Sequence, residues 1–238
     1  MKITVLTLFK EMYDGFLNTS IISRVLSKKE HEIKLVDIRD YSHDRHRHVD
    51  DTPYGGGAGM LMKVDVVHEA IMNNKDEDTY VLLTSPKAKP LTQDDLKRLS
   101  KKEKLMIVCG HYEGIDSRIE KYIDEQVSIG DYILTGGELA SMVICDGILR
   151  LLDESISSDS LKEESYENGL LEYPQYTRPV EYDGMEVPFV LTNGNHKEIE
   201  RYNLKMAIKE TMKYRPEMLN RELSDQEVLL IKEIEDEL

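Results

Sequence analysis

The sequence predicts an α/β protein with a largely parallel sheet, followed by a smaller and mostly helical C-terminal part. Three observations lead to this fold class. Up to Leu152, short runs rich in Val, Ile and Leu alternate with runs of helical periodicity, which is typical of a parallel sheet covered by helices. Residues 153–167 are acidic and show no periodicity. From residue 168 the chain is first irregular and rich in Pro and Tyr, and then helical from Lys197 onward.

The elements of the N-terminal part follow one another in βα order. Five apolar runs, each ended by Gly, Pro or polar residues, are predicted strands: 2–9, 32–39, 79–86, 104–110 and 125–134. Five amphipathic runs are predicted helices: 15–29, 63–74, 92–102, 114–123 and 136–152. Near the C-terminus, Ser224 and Glu227 have the spacing of a capping box, which predicts a helix starting there. We therefore expect domains at 1–152 and 168–238, joined by a flexible acidic linker at 153–167.

Composition narrows the class of protein. Cys109 and Cys145 lie in apolar runs and are predicted to be reduced core residues, as in a cytoplasmic protein. The N-terminal apolar run is interrupted by Lys10 and Glu11, which is too early for a signal peptide. No apolar stretch approaches the length of a membrane span. We expect a cytoplasmic protein without a membrane partner.

The charge pattern gives two opposed indications about nucleic acid. A net charge of −15 argues against a nucleic-acid partner, because such proteins usually carry a basic surface. Residues 201–215, however, hold five bases and one acid, and Lys205, Lys209 and Lys213 recur at helical spacing. This spacing places a positive stripe on one helix face. On charge pattern alone, a solvated helix face is the more common interpretation.

Three predicted strands end in unusual turns, at 84–90 ("TSPKAKP"), 109–116 ("CGHYEGID") and 128–139 ("SIGDYILTGGEL"). Ligands of open α/β sheets bind outside the carboxyl ends of the strands, so these turns predict one composite pocket. Glycine lets a ligand lie against bare backbone. The third turn contains no Lys or Arg, so the ligand need not be a phosphate. In any one of these turns, taken singly, the glycines could serve only to close a tight turn.

A fourth glycine-rich stretch, 43–63, allows several interpretations. His43, His46 and His48 could ligate a metal, but the intervening Arg45 and Arg47 make that site electrostatically poor, and we expect no metal there. A mobile loop whose two arginines meet phosphates is the second interpretation. Glycines with a purely structural role in a long loop are the third.

Five motifs resemble those of the bacterial tRNA (guanine-N1)-methyltransferases, which belong to the SPOUT class of knotted methyltransferases. They occur in order over residues 1–220: "HDRHRHVDDTPYGGGAGM", "SPKAKPL", "CGHYEGID", "SIGDYILTGGELA", and "GLLEYPQYTRP" followed by "GMEVPFVLTNGNH". Motifs of this length are highly specific. The resemblance implies a deep trefoil knot at the end of the parallel-sheet domain, which is an exception to the rule against knots.

The resemblance also implies S-adenosylmethionine as cofactor, bound where the knot threads the chain. The residues that match the family's cofactor site are Ser85, Pro86, Gly110, Tyr112, Glu113, Ile129, Gly130, Asp131, Tyr132, Ile133, Leu134, Gly136 and Gly137. Backbone groups would meet the adenine, which explains a glycine loop without a lysine. Residues expected to contact RNA are Arg45, Arg47, Asp50, Gly55, Gly59, Arg178, Lys205 and Lys209.

Two further residues are expected to perform catalysis. N1 of guanine carries a proton, so methylation needs a carboxylate base near N1 and a cation near O6. The family has an Asp as base, in "DSF" shortly before "GLLEYP". Here the matching stretch is "ESY", which makes Glu164 the expected base, with Glu163 as a weaker candidate. The matching cation is Arg150, which without the resemblance would be interpreted as a helix C-terminal cation.

The implied activity is methyl transfer from S-adenosylmethionine to N1 of guanosine 37, in tRNA that carries guanosine at positions 36 and 37. The implied assembly is a homodimer, and DNA is not an expected partner. The sequence leaves open whether magnesium takes part. The alternatives are another SPOUT RNA methyltransferase and a non-catalytic RNA-binding relative, and the change from Asp to Glu at the base favours the latter.

Overall fold

A computed structural model describes residues 1–152 and 164–237. The chain divides into two compact units, Met1–Ile156 and Ser157–Leu238. The expected linker at 153–167 falls mostly outside the described residues, so its flexibility and the expected domain limits stay predictions.

The described strands are short and mostly lie in the first unit. In chain order they are β1 (Lys2–Thr7), β2 (Glu32–Asp37), β3 (Asp50–Asp51), β4 (Leu61–Met62), β5 (Tyr80–Thr84), β6 (Lys104–Cys109), β7 (Glu125–Val127), β8 (Glu181–Tyr182) and β9 (Met185–Glu186). The described α-helices are α1 (Asp14–Asn18), α2 (Ser20–Ser27), α3 (Val64–Asn74), α4 (Gln93–Ser100), α5 (Glu138–Leu149), α6 (His196–Tyr214) and α7 (Asp225–Asp236).

The first unit is built on a five-stranded parallel sheet with the order β2-β1-β6-β5-β7. This confirms the predicted α/β class and the parallel sheet. Alternate strand residues face opposite sides, so that Leu83 and Val108 pack towards α3 whereas Leu82 and Ile107 pack towards α4 and α5. Both faces are therefore buried, as parallel sheets require.

Most predicted elements are a few residues shorter in the structure, and three of them differ more clearly. The predicted helix 15–29 is two helices, because Thr19 has extended backbone angles and Ser20 a positive φ. The predicted helix 114–123 is only a 3-10 helix at Ser117–Tyr122. The predicted strand 125–134 ends at Val127, and the residues after it form a loop.

In the second unit, α6 and α7 pack together around a small core of Ala207, Ile208, Leu230 and Ile234. The predicted capping box is present at the start of α7: Ser224 accepts a hydrogen bond from the backbone of Glu227, whose side chain accepts one in return. Strands β8 and β9 form a separate two-stranded antiparallel hairpin. No described helix of either unit has both the length and the apolar character needed to cross a membrane.

Candidate cofactor cavity and RNA-contacting loop

A cavity of about 460 Å³ lies at the carboxyl ends of β5, β6 and β7. These three strands are neighbours in the sheet, so the turns that follow them are brought together, as the strand-end argument predicts. The turns are joined by backbone hydrogen bonds: Ser85 N–H donates to the Val127 carbonyl at 2.9 Å, and Gly137 N–H to the Gly110 carbonyl at 2.8 Å. These bonds hold the three turns together around the cavity.

Twelve of the thirteen residues expected at the cofactor line this cavity. They are Ser85, Pro86, Gly110, Tyr112, Glu113, Ile129, Gly130, Tyr132, Ile133, Leu134, Gly136 and Gly137. Asp131 is exposed and does not line it. The structure therefore gathers these positions in one place, while their role in binding stays a prediction.

Glycine is required at two of these positions for reasons of packing. A Cβ atom on Gly137 would lie 2.1 Å from Thr84 Oγ1 and 2.8 Å from the Cα of Cys109. A Cβ atom on Gly136 would lie 2.4 Å from the carboxylate of Glu138 and 2.7 Å from the ring of His111. The "TGGE" segment can therefore pass the ends of β5 and β6 only because it has no side chains there.

Tyr112 occupies the cavity wall with a left-handed backbone, at a φ of +59°. Non-glycine residues adopt this conformation infrequently, and bulky ones only where their surroundings hold them. Burial raises the pKa of the Tyr112 hydroxyl, and the neighbouring Asp50 carboxylate raises it further. Asp50, expected to contact RNA, therefore lies beside a residue of the cavity wall.

Two residues beside the cavity were missed by the sequence analysis. His111 lines the cavity between Phe9 and Tyr112, and its Nδ1 atom is buried without a hydrogen-bond partner among the described residues. Glu138 is only 2% exposed and accepts a hydrogen bond of 2.8 Å from Thr7. His111 stands in a recognised motif, but the contact between Glu138 and Thr7 joins residues 131 positions apart, which no local pattern indicates.

The C-terminal end of the glycine-rich loop 43–63 is fastened to the cavity wall. Three backbone hydrogen bonds join the end of the loop to the turn after β6, from Met62 to Gly114, from Glu113 to Met60 and from Asp116 to Met62, at 2.9–3.1 Å. Gly59 has a φ of +88°, and a Cβ atom there would lie 2.3 Å from Glu113 Cγ. The loop tip differs: Gly55 is exposed, with no atom within 4 Å of a Cβ position.

The three histidines of this loop pair with acids or with each other. His43 contacts Glu69 at 2.7 Å, and His48 contacts Asp44. Within the residues described, no group of three or more His, Cys, Asp or Glu side chains is arranged to hold a metal ion.

The basic residues expected at RNA fall into two groups. Arg47 pairs with Asp40, and Lys205 pairs with Glu233 at 3.5 Å and Glu237 at 2.6 Å. The contact with Glu237 raises the pKa of Lys205. The second group is Arg45, Arg178 and Lys209, which are exposed and have no ion pair within the described parts of the chain. The second group is the better placed for phosphates.

The two expected catalytic residues belong to different units. Arg150 directly follows α5 as its C-cap, so it also occupies the position of a helix C-terminal cation. Glu164 begins a turn in the second unit, where its carbonyl accepts a hydrogen bond of 3.2 Å from Glu167 N–H. The weaker candidate, Glu163, lies outside the described residues.

Known proteins are similar to this chain over its whole length. The sequence profile of the family described as "tRNA (Guanine-1)-methyltransferase TrmD" matches residues 1–221. Three relatives named tRNA (guanine-N(1)-)-methyltransferase are similar along all of this chain. The protein of Dictyoglomus turgidum is 44% identical over 100% of this chain and 98% of its own length. That of Fusobacterium nucleatum is 47% identical, over 100% and 99%. That of Lactobacillus johnsonii is 48% identical, over 100% and 99%. The chain therefore belongs to the tRNA (guanine-1)-methyltransferase family.

Proposed function

We propose that this protein transfers a methyl group from S-adenosylmethionine to N1 of guanosine 37 in tRNA. Membership of the family supports guanine-N1 methylation of tRNA as the reaction. The observation that carries the proposal within the structure is the cavity at the ends of β5, β6 and β7, which collects twelve of the thirteen residues matched to the family's cofactor site. Position 37, next to the anticodon, is implied by the resemblance.

The cavity fits the proposed cofactor in size and chemistry. A volume of about 460 Å³ lies within the range of small-molecule sites. Gly110 and Gly130 place backbone without side chains beside the apolar Ile133 and Leu134 in the cavity wall, which suits a flat purine ring. When bound, S-adenosylmethionine would supply a methyl group that is already a strong electrophile.

The chain's own contribution to the chemistry would be proton removal and charge stabilisation. Glu164 would accept the N1 proton of guanine, and Arg150 would stabilise the negative charge that develops on O6. A glutamate base is one methylene longer than the family's aspartate but has similar basicity. Tyr112 and Glu113 in the cavity wall, and the loop fastened to it, would position the guanine next to the cofactor.

The same resemblance implies a knotted chain, a dimeric assembly and a set of RNA contacts. Residues 128–137 return to the turn after β6, where Gly136 forms a β-bridge with His111, and we infer from the resemblance that a trefoil knot forms in this part of the chain. We infer a homodimer that acts in the cytoplasm, in which the second unit of one chain completes the site of the other. Exposed Arg45, Arg178 and Lys209 would contact RNA phosphates.

A methyl-transfer assay tests the proposal directly. Labelled S-adenosylmethionine is incubated with unmodified tRNA carrying guanosine 36 and 37, and with the same tRNA carrying adenosine 37. We expect label only in the first, at N1 of guanosine 37, and loss of nearly all of it in Glu164→Gln with retained cofactor binding. Label at another nucleotide would indicate a different RNA methyltransferase. Cofactor binding without transfer would indicate a non-catalytic relative.

A further inference from the structure

The turn that contains Glu164 has a defined and strained backbone. Tyr166 N–H donates to the Leu170 carbonyl at 2.9 Å, and Glu167 N–H donates to the Glu164 carbonyl at 3.2 Å. Tyr166 lies in the left-handed region, at a φ of +75°. A bulky residue keeps such a conformation only where neighbouring groups hold it. The turn must therefore be held from outside.

Two contacts attach this turn to the C-terminal end of α6. Leu171 N–H donates to Thr211 Oγ1 at 2.8 Å, and Thr211 is fully buried. Arg215, which directly follows α6, donates from Nη1 to the Tyr166 hydroxyl at 3.3 Å. The guanidinium carbon of Arg215 also lies 5.7 Å from the centre of the Tyr166 ring. The first contact fixes the backbone after the turn, and the second fixes the side chain in its middle.

We propose that Tyr166 and Arg215 are positioning residues for methyl transfer, which act by holding the turn that presents the Glu164 carboxylate. The proposal rests on the proposed function, in which Glu164 is the base. A glutamate has one more rotatable bond than an aspartate, so its carboxylate samples more positions for any given backbone. A displacement of about 1 Å can lower a rate a hundredfold. A longer base therefore requires a better-held turn.

The Tyr166–Arg215 contact is suited to this role rather than to stability. Tyr166 is 46% exposed, and Arg215 also pairs with the exposed Glu217. Contacts between exposed polar groups contribute little to the free energy of unfolding. The buried bond to Thr211 is instead the one expected to stabilise the unit. In the sequence "ESY" the tyrosine lies two positions after the expected base, so the hydroxyl that Arg215 contacts belongs to the same turn as Glu164.

The test removes the hydroxyl alone. We expect Tyr166→Phe to lower kcat for tRNA methylation about tenfold in steady-state measurements, with the KM for S-adenosylmethionine and the Tm unchanged. Arg215→Gln should behave similarly. The matched control is Tyr182→Phe, which removes a hydroxyl from another exposed tyrosine of the same unit and should leave kcat unchanged.

A double-mutant cycle then distinguishes positioning from a general structural effect. In a Glu164→Asp background, Tyr166→Phe should lower kcat by less than about threefold, because the position of the shorter base depends less on the turn. An equal loss of kcat with the original Glu164 and in the Glu164→Asp background would overturn the proposal. So would an unchanged kcat in Tyr166→Phe, or an effect of that variant on Tm or KM alone. If the unmodified protein transfers no methyl group at all, it is the proposed function that fails.

Discussion

At the scale of single residues, the glycines of the cavity wall have different physical reasons for being glycine. The sequence marks Gly110 and Gly137 equally, since both stand in recognisable motifs. The structure separates them: a Cβ atom on Gly137 would collide with the backbone at Cys109, whereas one on Gly110 would have no neighbour closer than 3.7 Å. Substitution at Gly137 therefore disturbs the fold itself. Gly110 is the position at which ligand binding can be tested alone.

We expect Gly110→Val to remain folded and to bind S-adenosylmethionine at least tenfold more weakly, because the branched side chain would occupy part of the cavity. Isothermal calorimetry measures the affinity, and thermal denaturation shows that the protein is folded. Gly15→Val is the control, since Gly15 lies in α1 with open space around it. Undiminished binding by folded Gly110→Val would mean that the cofactor lies elsewhere.

At the scale of elements, the sequence predicts where the helices lie better than it predicts which elements pack against them. The periodicity of α6 predicts a basic stripe, and the capping box predicts the start of α7. Neither indicates that acids of α7 and its C-cap would cover part of that stripe, because packing between two helices is not a local property. Arg201 and Lys205 both pair with Glu233, and the Arg201 guanidinium is the main reason for the lowered pKa of Glu233. The covered stripe leaves Lys209 exposed.

We therefore expect Lys209→Gln and Lys205→Gln to differ in tRNA binding. The first should reduce the slope of log K against log salt by about 0.7–0.9, the value for one lost phosphate contact. The second should leave the slope nearly unchanged, since the Lys205 side chain is only 18% exposed and already forms ion pairs with Glu233 and Glu237. Filter binding at several salt concentrations measures both. Lys232→Gln on α7 removes the same charge as a control, and three equal slopes would assign Lys209 to a solvated face.

At the scale of the whole molecule, the alternation of elements was enough to predict the parallel sheet, because each βα repeat is a local pattern. The order of the strands was not predictable in this way. Strand β6 lies between β1 and β5, and this placement depends on contacts between residues about a hundred positions apart, such as Ile3 with Leu105. The site depends on the same placement, since it joins the ends of β5, β6 and β7.

The proposed assembly makes a prediction about mixed dimers. If Arg150 of one chain and Glu164 of the other serve one site, a dimer of Arg150→Ala with Glu164→Gln has one intact site and one doubly altered site. Co-expression with two affinity tags lets the mixed dimers be purified. Before this purification, random pairing of the two inactive chains should restore about a quarter of the normal methylation. Half of the dimers are then mixed, and each mixed dimer has one working site of two. If purified mixed dimers stay inactive, the two residues serve one site within a single chain, and the proposed sharing of the site between subunits is wrong.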